Sequence, residues 1–330
     1  MKKTILIALI ACTVLGMLPA FAQIKMTKEQ MMFYTSAWKG ERFPDGRPKL
    51  PDDLLKRALD VTIEDIQDYV GGRGYRNQFE SGWQALHIDQ PFAGRAVTAQ
   101  FMPTRADMVR AIQAEGKAEG RVGTGTNTWV INELVMGDTL VADGFGKIVG
   151  GTLIGSNLGS GIAARTHSGF IFDGGIRDQE ENRAIPFLNG FYRGYDPGAW
   201  SEMQLTAINA PVRIGRAVVL PGDLVLAKKD GVIFIPSQFA GEAIRRAEFT
   251  ALENAYNYER NTTGQNAGLL EGGWTPAKYA ELVKWVDAHP EKLKMPRAEF
   301  LAMVAAASQP RQGGAGRGAA AGRGGAPPSP

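Results

Sequence analysis

Between Ala93 and Pro236 the apolar residues fall in short β-branched runs separated by glycine: Gly94–Ala99, Asp138–Ala142, Gly169–Asp173, Ala217–Leu220, Leu224–Ala227 and Gly231–Pro236. Runs of this length and composition predict strands. Helical spacing interrupts them at Arg105–Gly116, around Asn157–Arg165 and at Ile176–Ile185. The closing strands are so closely spaced that they predict a meander or small barrel-like layer rather than repeated βαβ units. After Pro236 the pattern changes. Phe239, Ala243, Ile244, Ala247, Ala251 and Leu252 recur at a 3.6-residue period behind Ser237, which predicts a long capped helix. Pro276–Ala288 and Arg297–Ala307 read as two more helices. Before Ala93, residues 23–53 are polar and broken by Pro44, Gly46, Pro48 and Pro51, predicting an irregular arm with one short helix near Lys28–Ser36. Helices follow from Pro51-Asp52-Asp53, with Asp52 as the cap, and from Thr62, with Asp65 in a capping-box position.

The two ends have a different texture. Lys2 and Lys3 precede an apolar run from Ile5 to Leu18, and Ala20-Phe21-Ala22 supplies a small-x-small cleavage site. This is the layout of a secretory signal peptide over residues 1–22, and the run is short of the ~20 residues of a membrane span. The expected location is therefore outside the cytoplasm, in the periplasm. Leu9-Ile10-Ala11-Cys12 offers a second processing route, a lipid anchor on Cys12. From Pro310 onward the chain is nearly all Gly, Ala, Pro and Arg, a composition that predicts disorder for residues 310–330.

Charge adds less than it first offers. The whole chain carries a net +3, which on its own invites a polyanionic partner. Lys2, Lys3, Arg311, Arg317 and Arg323 lie in the two end segments, which hold no acidic residue, so residues 23–309 carry −2. No nucleic-acid partner is expected. The single cysteine excludes a disulfide framework or a Cys-rich metal site. His87, His167 and His289 lie too far apart in sequence to suggest a histidine-dominated metal site, and His167 reads as structural. The glycines at 144, 146, 150, 151 and 155 lack dinucleotide-binding spacing, and no Walker lysine occurs.

Two blocks could carry chemistry. Gly155-Ser156-Asn157-Leu158 enters a predicted helix, whose N-terminal N–H groups suit an anion. The strand Gly169–Asp173 runs on to Gly174-Gly175-Ile176-Arg177-Asp178. Arginine presents a planar fork to a carboxylate, and aspartate is a hard oxygen ligand for Mg²⁺ or Mn²⁺, so Arg177 and Asp178 together could hold a 2-oxo acid. The same spacing also fits Asp173 and Asp178 as turn and cap residues, with Arg177 in a surface ion pair.

Glu133–Gly144, Gly155–Leu158, Asp173–Asp178 and Leu220–Val225 followed by Asp230-Gly231-Val232 occur in an order that resembles the regulator-of-ribonuclease-activity-A-like family, which includes 4-hydroxy-4-methyl-2-oxoglutarate/4-carboxy-4-hydroxy-2-oxoadipate aldolases. The resemblance runs from about Leu54 to the helix after Pro236. It implies a compact α/β/β swivelling-domain-like fold, with N-terminal helices and a helical C-terminal extension added here. The implied organisation is an arm over 23–53, an aldolase-like domain over 54–260, and an extension over 261–309. A homotrimer or hexamer is implied, as is a metal-dependent lyase that cleaves a pyruvate-derived 2-oxo acid through a metal-stabilised enolate and can decarboxylate oxaloacetate. Arg177 would bind pyruvate, Asp178 would ligate Mg²⁺ or Mn²⁺, and Gly155, Ser156, Asn157 and Leu158 would hold the substrate carboxylate. Family aldolases place an acidic residue after the first glycine of that loop, where this chain has Ser156. A neutral hydroxyl holds a metal-associated water less firmly, which opens the alternative of a non-catalytic metal- and anion-binding protein. The family's namesake role, ribonuclease regulation by protein contact, is a further alternative that a signal peptide disfavours. A glutamate from a neighbouring subunit often completes the site; Glu248 and Glu253 are the candidates, and their helix pattern reads as a solvated face.

Overall fold

The protein is described by a computed structural model covering residues 23–265 and 273–309. The leader and Cys12 assignments and the 310–330 tail fall outside the described residues. The described chain forms two compact units, divided within one long helix between Glu248 and Phe249.

The first unit is built on twelve strands: β1 Phe79–Glu80, β2 Gln84–Ala85, β3 Phe92–Pro103, β4 Asp138–Asp143, β5 Thr152–Ile154, β6 Gly169–Ile176, β7 Asn189–Tyr195, β8 Met203–Ile208, β9 Val212–Ile214, β10 Ala217–Val219, β11 Leu224–Lys228 and β12 Gly231–Ile235. Ten of these form one sheet in the order β1-β12-β11-β3-β4-β6-β7-β2, with β5 also on β6 and β8 also on β3. Its centre is parallel: β3 with β4, β4 with β6, and β6 with β7. The stretches near 105–116, 157–165 and 176–185 are indeed helical, as Ala106–Ala118, Ser156–Thr166 and Gln179–Ala184, and they are crossovers between these parallel strands. The closing strands follow the meander expectation, β9 pairing β10 and β11 pairing β12 antiparallel.

Three layers result. One face of the parallel strands presents Val97, Leu140, Phe170 and Phe172 to Trp129, Val130, Ile162 and Ala163 of the crossover helices. The other presents Val141, Ile171 and Phe191 to the β9–β10 hairpin through Val212, Ile214, Ala217 and Val219. The alternation of facing residues along each strand makes both faces apolar, as a sheet covered on both sides requires. A further cluster packs Leu54, Leu55 and Ala58 of the helix Asp52–Ala58, and Ile63, Ile66 and Val70 of the helix Ile63–Gly71, against Leu226 and Ile233 of the sheet and Ala243 and Ile244.

Two caps differ in outcome. Thr62 caps as expected, its hydroxyl accepting from the Asp65 N–H. Asp52 does not: Pro51 holds the cap position, and the Asp52 carboxylate instead accepts from Arg95 at 2.7 Å. The second unit, from Phe249, comprises the end of the helix Ser237–Thr262 and the helices Pro276–Ala288 and Arg297–Ala307 around Phe249, Leu252, Tyr256, Tyr279, Leu282 and Phe300. Among the described residues no helix is long and apolar enough to cross a membrane.

Candidate functional site

The two sequence blocks meet at the C-terminal ends of β5 and β6. Ile154 and Ile176 are partners in the parallel register, and the Arg177 N–H donates to the Ile154 carbonyl at 3.0 Å. This sets Gly155 beside Arg177 as both chains leave the sheet. Gly155 is the cap residue of the helix Ser156–Thr166, and Asp178 takes the same place before Gln179–Ala184. Asp178 does so in the left-handed conformation, φ 54° and ψ 46°, which disfavours a side chain by ~1 kcal/mol. Asn182 holds the bend: its N–H donates to the Asp178 carbonyl at 2.9 Å, and its fully buried Nδ2 donates to the carbonyls of Arg177 at 3.0 Å and Asp178 at 2.9 Å.

The bend aims Asp178 Oδ2 at the Ser156 N–H, 3.0 Å away. A Cβ at 155 would lie 2.6 Å from Asp178 Oδ2 and 2.9 Å from Arg177 Nε, so any larger residue there would push these two side chains aside. Arg177 Nε stands 3.8 Å from Asp178 Oδ2, beyond hydrogen-bond reach, and among the described residues the guanidinium has no other carboxylate partner. The first-turn N–H groups of Asn157 and Leu158 have no acceptor within their own helix, whose first bond is Gly159 N–H to Gly155 O. The ensemble brings together groups that could accept a carboxylate: a guanidinium outside hydrogen-bond reach of Asp178, helix N-terminal donors and an adjacent carboxylate.

Gly155, Asn157, Leu158, Arg177 and Asp178, with Asn127, Thr152, Leu153, Ala199 and Trp200, line an open cleft of about 90 Å³. Larger hollows of about 380 and 440 Å³ lie at the other end of the parallel strands, around Pro91, Phe92, His167 and Ser168. Ligand sites of open parallel sheets sit outside the carboxyl ends of the strands, which favours the smaller cleft.

Arg177, Asp178, Gly155, Ser156, Asn157 and Leu158 are all brought together as the sequence blocks suggested. Other expectations are corrected. Glu248 and Glu253 do not lie on a solvated face: Glu248 is buried in a two-point ion pair with Arg57 at 2.9 and 2.6 Å, and Glu253 is buried and accepts from the Tyr279 hydroxyl at 2.9 Å. Asp173 is not a turn residue but lies in β6, with Oδ1 2.6 Å from Arg193 Nε. His167 ends the helix Ser156–Thr166 in the left-handed conformation, exposed and stacked on Phe187 at 4.7 Å. Asp223 is buried in the turn before β11, and accepts from the N–H groups of Leu220 and of Ser237 at the head of the long helix. Asn182 escaped the sequence reading because its role exists only once residue 178 turns left-handed.

Among the described residues no group of three or more His, Cys, Asp and Glu side chains is gathered to hold a metal. Asp178 offers a single carboxylate, with Oδ2 committed to Ser156. That donor set does not suit zinc, which takes three or four protein ligands, but it fits Mg²⁺ or Mn²⁺, which bind through one or two carboxylates and keep water and substrate oxygens.

The match to known proteins falls on this same region. A family model described as Aldolase/RraA matches residues 62–234. The 4-hydroxy-4-methyl-2-oxoglutarate aldolase of Thermus thermophilus is 28% identical over 150 residues, 46% of this chain and 79% of that one. A protein of Halalkalibacterium halodurans provisionally named for the same activity is 32% identical over 135 residues, 39% of this chain; the chain spans 61% of that relative's length. Among solved structures, Streptomyces coelicolor RraAS2, described as an unusual member of the RNase ES inhibitor RraA family, superposes with a TM-score of 0.50 at 24% identity over 67% of this chain and 98% of its own. An uncharacterised Pseudomonas syringae protein gives 0.51 at 20% identity, over 68% and 95%. With more than half of its length matched by the family model, and with that match enclosing the whole β-sheet site, the chain belongs to the RraA-like (Aldolase/RraA) family.

Proposed function

We propose that this protein is a lyase that cleaves a pyruvate-derived 2-oxo acid, with Mg²⁺ or Mn²⁺ held on Asp178. The observation that carries the reading is an arginine whose carboxylate neighbour, Asp178, stands 3.8 Å away, beyond hydrogen-bond reach, beside a helix N-terminus at the strand ends. Arg177 and the N–H groups of Asn157 and Leu158 bind the substrate carboxylate. Gly155 lets that group approach the backbone, and Asn182 fixes Asp178. A divalent ion, when bound, polarises the keto oxygen and balances the negative charge that develops there. In retro-aldol cleavage the C3–C4 bond breaks as the C4 hydroxyl gives up its proton, and the bonding electron pair stays on C3 of the pyruvate fragment, which then takes up a proton. The lining residues include no histidine, so these protons exchange with water in the open cleft.

Export to the periplasm and assembly as a trimer or hexamer belong to the same proposal, resting on the Lys2–Ala22 pattern and on the family resemblance. Purified protein with Mg²⁺ should release pyruvate from 4-hydroxy-4-methyl-2-oxoglutarate or decarboxylate oxaloacetate. Equal rates for wild type and Asp178→Ala would end the lyase reading. Ser156, neutral where the aldolases of the resemblance are acidic, supports a second reading as a binding protein. Metal-dependent binding of oxalate without turnover of either substrate would select it.

A further inference from the structure

The hollow of about 380 Å³ at the N-terminal ends of β6 and β7 takes no part in the proposed reaction. Its lining includes Arg183, His87 and His167 and no aspartate or glutamate; Asp89, Glu180 and Glu181, close in sequence, lie outside it. Arg183 and His87 are held against each other. Arg183 Nε donates to the Leu86 carbonyl at 3.2 Å, and His87 Nε2 donates to the Arg183 carbonyl at 3.1 Å. Buried Asn189 fixes the His87 backbone, accepting from its N–H at 3.0 Å and donating to its carbonyl at 2.8 Å. A carbonyl only accepts, so His87 carries a proton on Nε2 and keeps Nδ1 for another partner. The guanidinium also meets the Tyr192 hydroxyl, but no carboxylate in the lining neutralises it. Ser168 is spent on Thr139 and the Ala93 carbonyl, at 3.0 and 3.3 Å.

Ring surface completes the hollow, with Pro91, Phe92 and Pro186 as apolar walls and Gln90 as a neutral amide. Phe187 is 70% exposed and stacks on the exposed His167 at 4.7 Å, the rings 16° from parallel. Both backbones are left-handed, φ 64° and 48°, which costs most at a bulky residue such as Phe187. An exposed phenyl gains little burial to offset that cost, so packing within the chain does not explain where the ring stands. The adjoining hollow adds Lys56, and Asp52 paired with Arg95 at 2.7 Å.

We propose that this hollow binds a small aromatic carboxylate, with its carboxylate on Arg183 and His87 and its ring on the Phe187–His167 stack. An arginine fork meets a carboxylate through charge-assisted bonds, and His87 adds a donor when Nδ1 is protonated. The exposed phenyl favours a planar apolar body, through stacking and burial together. The volume suits a ligand of this size. The site is separate from the cleft of Arg177 and Asp178. The helix Ser156–Thr166 starts at that cleft and ends at His167, so ~16 Å of helix lies between the two.

The test is calorimetric titration, without added metal, of benzoate, benzamide and acetate into wild type and into Arg177→Ala, which removes the fork of the other cleft. Arg177→Ala should still bind benzoate, at least about tenfold more tightly than benzamide, which lacks the charge, or acetate, which lacks the ring. Adding Arg183→Gln should weaken benzoate about tenfold. Adding Phe187→Gly instead, which relieves the left-handed backbone, should bring benzoate toward acetate. Arg183 and Phe187 are both exposed and are changed one at a time, so each variant tests the site independently of the other. Benzoate bound by wild type but lost in Arg177→Ala would place the anion in the other cleft and overturn the proposal. Benzoate bound no more tightly than acetate, an affinity that either added substitution leaves unchanged, or no binding to either parent would overturn it as well. No metal or 2-oxo acid enters these titrations, so failure here leaves the lyase reading to its own assay.

Discussion

At the N-terminal end of β4, Arg47 donates to both oxygens of Asp138 at 2.8 and 2.9 Å, and Asp138 is fully buried. Arg95 closes the same cluster, its Nε 3.6 Å from Asp138 and its two terminal nitrogens spent on the Leu50 and Met136 carbonyls and on Asp52. At the C-terminal end of β6, Arg177 and Asp178 are the same two residue types, but 3.8 Å apart and more than a third exposed. The first arrangement spends the terminal nitrogens of its guanidinium groups and ties the N-terminal arm to the sheet. The second holds its carboxylate through a backbone N–H and leaves the fork open. An arginine beside an aspartate therefore marks a structural clamp or a binding site according to burial and to what else each group has already bonded.

The largest effect expected from this contrast is at the clamp. Asp138→Ala strands the buried Arg47 guanidinium, whose terminal nitrogens bond only Asp138, and leaves Arg95 with Asp52 as its one carboxylate partner. Removing one partner of a buried ion pair costs ~3–5 kcal/mol. Thermal unfolding followed by circular dichroism should show a fall on the order of 10 °C. A fall below about 3 °C would mean that the cluster is not what secures the arm.

Asp223 sharpens the contrast from a third position, a buried carboxylate with no arginine. Burial pushes it from an ordinary 3.8 up to about 7, against the pull of the Leu220 and Ser237 N–H groups. The folded state then holds the proton more firmly than the unfolded one. The stability associated with that proton is fully present below about pH 4 and is lost as pH rises to about 7, at up to ~1.4 kcal/mol per unit. Asp223→Asn cannot titrate, so its melting temperature relative to wild type should climb between pH 4 and pH 7 and level off above. A difference that does not change with pH would show that the two N–H donors offset the burial.

What could be read in the sequence follows from distance along the chain. Gly155 and Asp178 were legible because each acts at the end of its own strand, and the Arg-Asp dipeptide keeps its partners adjacent. The pairing of Arg47 with Asp138, 91 residues apart, and of Arg57 with Glu248, 191 apart, has no local signature. For that reason Glu248 looked solvated. The strands were recognisable from their β-branched runs, but nothing within one run states whether its neighbour is parallel, and the crossover role of the intervening helices depended on that. Asn182 was hidden for a different reason: a buried asparagine in a polar-looking Gln-Glu-Glu-Asn-Arg segment gains its function from the left-handed turn four residues earlier.

Arg177→Ala comes next in size and should separate binding from folding. With no carboxylate bonded to it, loss of the fork should leave unfolding within about 0.5 kcal/mol of wild type. A charge-assisted bond to a ligand carboxylate is worth ~1.5–3 kcal/mol, so the dissociation constant for oxalate with Mg²⁺ should rise about ten- to a hundredfold. Destabilisation comparable to that of Asp138→Ala, with oxalate affinity unchanged, would make Arg177 a second clamp and erase the contrast.

The smallest effect is expected where the geometry is best matched. Arg105 meets Asp107 through two bonds of 2.8 and 2.9 Å, the same distances as Arg47 to Asp138, yet its side chain is 72% exposed. Water competes for both groups, and the pair gains ~0.5 kcal/mol at most. Arg105→Ala should therefore leave the urea midpoint unchanged within error, and raising the salt concentration should narrow any residual difference. If it instead destabilised the fold as Asp138→Ala does, bond length rather than burial would set the strength of these pairs. The open fork of Arg177 would then have to be explained by its 3.8 Å separation alone, since partial exposure would no longer distinguish it from the clamp.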